Sequence, residues 1–358
     1  MVLLNATMEV LEDDFDFSAI QEVLNSTVNG TSFDFFEKVK EVVFGGEGIS
    51  FSYIWNLLLE ALFADINKNK EAVIMIILIG ISAAVFANIS NAFLSGQIAQ
   101  TAFYITYLLF VSVVAVAFHT MSESAVELLR DISDFMQALV PVFCLSLGMV
   151  SGGAGSLMFY EIALGSIFLV DTIFLNVIVP LIDVYVVLIM VNYLSKEDFL
   201  SKAAELIHTI VKWGLNTIFA MVLGINVIQG IMVPVSGTIK NQTLAKAVSA
   251  IPGIGSGANA VWETVLGTGV IIKNGIGSVA LIAIGFMVSV PIVKMMLFVL
   301  MYQGAGAILQ PVSDKRVSEV MSGIGAGAKL LLNTVILAMV FFVVSIALVC
   351  ISTNGGLA

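Results

Sequence analysis

An all-α, multi-pass membrane protein is the fold class this sequence predicts, and three observations predict it. Apolar residues make up 59% of the 358 and charged residues only 11%. Mean hydropathy is +1.04. The apolar residues also come in long blocks rather than in short core segments. A soluble domain carries roughly 25% charged residues, so this composition cannot cover a water-facing surface. A block of about 20 such residues, rising ~1.5 Å each, crosses the hydrocarbon of a bilayer.

The charges divide the chain. Before position 71 twelve acids face four lysines, Lys38, Lys40, Lys68 and Lys70, for a net of −8, and the remaining residues carry −3 of the total −11. Residues 1–70 therefore read as an acidic, water-exposed region, residues 71–352 as the membrane domain and residues 353–358 as a short tail. The acidic balance argues against nucleic acid, whose phosphates need a basic surface. Met1 to Gly30 contains no apolar core flanked by basic residues, so no signal peptide is expected there.

Within the acidic region, Phe36, Val39 and Val43 recur at helical spacing, with Glu37, Lys38, Lys40 and Glu41 around them, which predicts a short amphipathic helix. Residues 51–66 are far more apolar and read either as an ordinary packed helix or as one lying in the headgroup layer, anchored by Tyr53 and Trp55. Candidate spans follow at 72–94, 99–119, 136–150, 157–179, 181–194, 210–233, 276–303 and 330–352. The pieces at 136–150 and 181–194 are short and lie beside Pro141 and Pro180, so tilted, broken or re-entrant paths are expected and the count is six to eight.

Between spans, residues 121–136 set Met121, Ala125, Leu128, Leu129, Ile132, Phe135 and Met136 on one stripe, with Ser122, Glu123, Glu127, Arg130, Asp131 and Asp134 opposite. This predicts an amphipathic helix lying on the membrane or covering other helices. Residues 195–205 read as an aqueous loop. Residues 234–278 are long, semi-polar and glycine-rich, including Gly253, Gly255 and Gly257. Their apolar content predicts packing against the spans rather than a solvated linker.

Catalytic chemistry finds little support. His119 and His208 are the only histidines. No metal-binding spacing, nucleophile elbow or phosphate loop appears, and nothing calls for a cofactor. Pro252–Gly257 lacks the lysine and hydroxyl a phosphate loop needs and reads as a turn. Cys144 and Cys350 lie within apolar blocks and read as small buried hydrophobes. Charges inside the apolar blocks are more informative, because one at the bilayer centre costs roughly 2.5–3.5 kcal/mol on the insertion scale. Glu161, Asp171, Asp183 and Lys294 are such charges. Lys294 either faces an aqueous path or an acid, or serves a structural ion pair or snorkels. Asn216, Asn226 and Gln229 give the 210–233 span a polar side suited to inter-helix hydrogen bonds or, less commonly, to a conduit.

The runs SGGAGSLMFY at 151–160, VIVPL at 177–181, GINVIQG at 224–230, IPGIGSGANAVWETV at 251–265, IIKNGIG at 271–277 and SVPIVKMMLFVLMYQGAGAILQPV at 289–312 occur in this order. Together they resemble the stage III sporulation protein AE family of endospore-forming bacteria, over positions 50–352. The last run, ending at Gln310 and Pro311, is the most distinctive and is a candidate packing or gate motif together with the glycines at 253–257. The resemblance implies a polytopic protein of the mother-cell membrane around the forespore, part of a secretion-like channel complex. Its implied partners are the other proteins of the same operon, including a cytoplasmic ATPase and ring-forming proteins between the two membranes, besides the lipid bilayer. It implies either a contribution to the transport path or gate, or a scaffold that assembles the complex without conducting. It also implies that residues 1–70 lie between the membranes, whereas Lys68 and Lys70 beside the first span favour the cytoplasm.

Overall fold

The computed structural model describes residues 8, 10–12, 14–27, 33–45, 96–194, 199–249, 255–311 and 315–352. Among these every regular element is helical: α1 (Ser18–Thr27), α2 (Phe35–Val43), α3 (Gly96–Leu169), a π-helical segment (Val170–Ile178), α4 (Val179–Asn192), α5 (Ser201–Ser249), α6 (Gly255–Leu309) and α7 (Lys315–Ser352). Five stretches are long and apolar enough to cross a membrane: Phe103–Ser151, Gly153–Asn192, Ser201–Ile225, Leu266–Ala307 and Lys315–Ile351. The expected span at 72–94 and the apolar helix at 51–66 lie outside the described residues.

Helix α3 is not a rod. The rings of Phe143 and Phe159 are 5.1 Å apart, although 16 residues of straight helix would separate them by about 24 Å. The chain therefore doubles back at Ser151–Gly155, where three glycines permit a close turn. Both arms run antiparallel from this tip. Tyr107 Oη donates to the Met190 carbonyl at 2.7 Å, and Ser122 Oγ donates to Asp183 Oδ1 at 2.8 Å.

This corrects the expected segmentation. Residues 99–119, 121–136 and 136–150 form one continuous helix, so 121–136 is no separate surface helix, and Ser122, expected on its polar face, is buried where it meets Asp183. The predicted stripe from Met121 to Met136 is buried as expected, with Glu123, Glu127, Arg130 and Asp134 exposed. The pieces at 157–179 and 181–194 likewise join without a break. Pro180 has no N–H and its ring crowds the carbonyl four residues back. The chain answers by widening into i+5 hydrogen bonds: Val179 N–H donates to the Phe174 carbonyl, and Asn176 Nδ2 donates to the Asp171 carbonyl at 2.8 Å.

Tyr193 and Leu194 turn after α4 and α5 begins at Ser201, so the expected loop at 195–205 is helical from Ser201 on, while 195–198 lie outside the described residues. Helix α5 returns beside α4, with Gly214 facing Ile178 and His208 facing Tyr185. Residues 234–249 and 255–278 are helical too. From residue 266 on, Thr268, Gly269, Ile272, Lys273, Ile276 and Gly277 are buried, so this end of the stretch packs, while the side chains at 234–265 lie outside the described residues.

Helices α6 and α7 form a second antiparallel hairpin, with Gln310 and Pro311 turning after α6. Both hairpins and α5 share one core. Glycine sets the closest approaches: a Cβ at Gly323 would lie 2.6 Å from Ile189 Cγ2, one at Gly269 would lie 2.9 Å from Met149 Cβ, and one at Gly327 would collide with Val186. Gly323 and Gly327, four residues apart, present one small face of α7 to α4, the geometry that lets membrane helices touch backbone to backbone.

The bundle outreaches a bilayer. Phe103–Ser151 counts 49 residues and Leu266–Ala307 counts 42. At 1.5 Å per residue these are roughly 60–75 Å long, about twice the ~30 Å hydrocarbon thickness. One end carries the connections between α4 and α5 and between α6 and α7, and the other carries the tip at Ser151–Gly155. Helices α1 and α2 pack on the tip half, through Phe33 on Phe286, Phe35 on Phe135, and Val39 and Val43 on Gly275. Gln21 ties the two helices together, donating to the Phe33 carbonyl and accepting from the Phe35 N–H. Asp34 caps α2 through the Glu37 N–H, and Gly45, with φ of 72°, ends it in a left-handed turn that a Cβ would strain. Asp16 accepts from Ser18 N–H at the start of α1, which holds its carboxyl below the ordinary range. The described part of the acidic region thus shares the bundle's core while keeping its charges outward.

Candidate functional site: a polar cavity between α4, α6 and α7

At the connection end, the last turns of α4 and α6 and the first turns of α7 border an open cavity of about 800 Å³. Tyr185, Ile189 and Tyr193 contribute from α4 and the turn after it. Gln303, Gly306 and Ala307 come from α6, and Gln310 from the turn that follows. Lys315, Ser318, Glu319, Ser322, Gly323 and Ala326 come from α7. Small residues, Gly306, Ala307, Gly323 and Ala326, line part of it, and Gly323 also lets α7 approach Ile189 of α4 closely. Glu319 is the hub of its polar wall: it accepts from Tyr193 Oη at 2.5 Å and pairs with Lys315 Nζ at 3.5 Å. With that charge balanced, the remaining lining groups are amides and hydroxyls, which bind water or a polar chain. Among the described residues no group of three or more His, Cys, Asp and Glu could hold a metal.

Of the residues singled out in the sequence, only Gln310 lines this cavity. Pro311 follows it in the exposed turn. Lys294 is half-buried on α6, and nine residues at ~100° each place it on the opposite face from Gln303. Asp183 is held by Ser122 of the facing arm. Asp171 is half-buried in the π-helical segment and Glu161 is exposed. Lying 10 and 12 residues apart on one helical path, Glu161, Asp171 and Asp183 are separated by roughly 15 Å or more and form no shared cluster. The side chains of Asn226 and Gln229, and Gly253, lie outside the described residues. Gly255 and Gly257 belong to α6. His119 is exposed in mid-helix and faces Glu123 at 3.4 Å rather than ending a span.

The profile of the stage III sporulation protein AE family matches residues 33–353. This chain belongs to that family. The stage III sporulation protein AE of Bacillus subtilis (strain 168) is 24% identical over 302 residues, which cover 83% of this chain and 75% of that protein. No solved structure matches. The family runs recognised in the sequence have definite places in the bundle. SGGAGSLMFY makes the tip, VIVPL carries the π-helical segment into α4, and the run from Ser289 to Val312 is the part of α6 that leads into the cavity and its turn.

One family-carrying run holds a residue that sequence reasoning passed over. Lys273, in IIKNGIG, is fully buried, and its Nζ donates to the Cys350 carbonyl at 3.0 Å. Cys350 lies in the last turn of α7, where carbonyls lack intrahelical donors and the helix dipole is negative, so an ammonium there satisfies both. The sequence signal was a lysine among glycines close to an apolar block, but its partner is 77 residues away. Similarly, Gln303, Ser318, Glu319 and Ser322 drew no notice because each is a common residue near a helix end, and only the fold of the second hairpin brings them together.

Proposed function

We propose that this family member is an integral component of the secretion-like channel complex in the mother-cell membrane around the forespore, and that the cavity between α4, α6 and α7 is part of the transport path or its gate. The cleft carries the reading: an open space of about 800 Å³ at the end of an otherwise apolar bundle, where Tyr193, Gln303, Gln310, Ser318, Glu319 and Ser322 offer hydrogen bonds, suits water or a polar chain. Lys202, Lys315 and Arg316 lie at this end, and the positive-inside rule assigns it to the mother-cell cytoplasm, where the operon's ATPase would meet it. The charged faces of α1 and α2 then lie on the opposite side, between the membranes, within reach of the ring-forming proteins.

A scaffold without a path is favoured by a different observation. Leu157, Leu164 and Phe168 form an exposed apolar stripe on the tip half, at 57%, 42% and 66% exposure, which suits contact with other subunits. Filling the cavity separates the two readings. Ser322→Trp places an indole in the chamber and is expected to accumulate normally yet sporulate poorly, while Ser322→Ala sporulates as wild type. Normal sporulation with Ser322→Trp would leave the scaffold as the function.

A further inference from the structure

A groove runs down the outside of the bundle between α5 and α7, on a different face from the cavity. It is lined by Lys212, Leu215, Asn216 and Phe219 of α5 and by Leu330, Asn333, Ile336, Leu337 and Val340 of α7, around a space of about 280 Å³. Both helices run away from the connection end, so the groove is graded. Its polar groups come first: Lys212 and Asn216 are one turn apart on α5 and Asn333 faces them from α7, while Lys329, one turn before Asn333 on the same side of α7, stands at the groove's mouth, and all four are exposed. Phe219, Ile336, Leu337 and Val340 follow one to two turns further into the bundle.

We propose that this groove is a binding site for one anionic phospholipid of the surrounding bilayer. Its phosphate sits between Lys212 and Lys329 with Asn216 and Asn333 donating to its oxygens, and an acyl chain lies along Phe219, Ile336, Leu337 and Val340. Charge complementarity decides the occupant. Among the described residues, neither Lys212 nor Lys329 has a carboxylate within 4 Å. The neighbouring acids are engaged elsewhere, Glu205 with Lys202 at 2.9 Å and Glu319 with Lys315 and Tyr193. Two ammonium groups on adjacent membrane helices therefore face outward with no counter-charge among the described residues. Trp213, 73% exposed beside Lys212, is the residue type that settles at the headgroup layer. It marks the polar end of the groove as headgroup level, and basic pockets between helices at that level recognise anionic headgroups. Zwitterionic phosphatidylcholine carries its own cation and gains less from the pair.

Native mass spectrometry of the full chain in detergent tests the site, with phosphatidylglycerol and phosphatidylcholine of identical acyl chains added at equal concentration. Wild type is expected to retain one phosphatidylglycerol with a preference on the order of tenfold or more. Lys212→Gln with Lys329→Gln should remove the preference, Lys212→Arg with Lys329→Arg should keep it, and Lys202→Gln, outside the groove, should leave it unchanged. Equal retention of the two lipids by wild type overturns the proposal, even if the glutamine variant fails to fold. So does an undiminished preference in the glutamine variant. Rapid disulfide formation between two copies carrying Asn333→Cys in native membranes would also overturn it, by showing that a second copy covers the groove.

Discussion

Gly327→Leu is expected to abolish accumulation of the folded protein. A Cβ at this position already collides with Val186 and lies 3.5 Å from Tyr185 Cδ1. Val186 is itself fully enclosed and cannot withdraw. Overpacking a close core contact costs about 1–3 kcal/mol where side chains can adjust. Here the interface is formed by two helices touching backbone to backbone, so the larger side chain must push α4 and α7 apart along their length. Gly323 repeats the contact one turn earlier, against Ile189, and the connection end with its cavity sits just beyond. The thermal midpoint of purified protein checks the expectation, with Gly327→Ala already falling clearly, because its Cβ is the atom that meets Val186, and Gly327→Leu yielding no cooperative transition. Gly285, around which nothing lies within 4 Å, is the control: Gly285→Ala should leave stability nearly unchanged.

Lys294→Leu is expected to insert normally and to impair sporulation severely. The segment becomes more apolar, which does not disfavour insertion, so loss of function could not be assigned to failed membrane entry. Lys294 lies three residues after Pro291, whose missing donor and ring leave the Met287 carbonyl open to a neighbour or a water. It is half-buried on the face of α6 away from the cavity, so its charge serves the bundle or the assembled complex rather than the chamber wall. Lys294→Arg should retain part of the function because the charge persists. Spore counts at matched protein levels decide the matter, and full sporulation with Lys294→Leu would show the charge to be dispensable.

Much of the fold was legible because bilayer energetics write themselves into composition. The apolar blocks, the stripe from Met121 to Met136 and the packing of residues 266–278 all follow from which residues can face lipid or a neighbouring helix. The joints were not legible. Pro141 and Pro180 normally mark helix ends, yet at Pro180 the backbone absorbs the defect by π-helical bonding, and at Pro141 α3 continues through an exposed position. Conversely, the sharpest reversal falls inside SGGAG, where glycine permits both a helix and a turn and only the contact of Phe143 with Phe159 chooses. The site was less legible still. Isolated charges such as Asp171 and Glu161 drew notice because they are costly in lipid, but the cavity is built from ordinary polar residues of three helices. Lys273 gains its meaning only from the end of α7 against it.

The account stands most directly on its orientation: the cavity end faces the mother-cell cytoplasm, and α1, α2 and the end of α7 lie on the other side. The five described crossings put the start of α3 and the end of α7 on opposite sides, and a crossing by 72–94, expected from the sequence, would bring the N-terminal helices to the same side as the C-terminus. Reporters active only in the cytoplasm or only after export, fused near Gly30, after Ala358 and between Pro311 and Lys315, measure this in one experiment. Exported activity at Gly30 and Ala358 with cytoplasmic activity at 311–315 is the predicted result. A cytoplasmic reporter active at Gly30, or an exported one active at 311–315, would contradict the account.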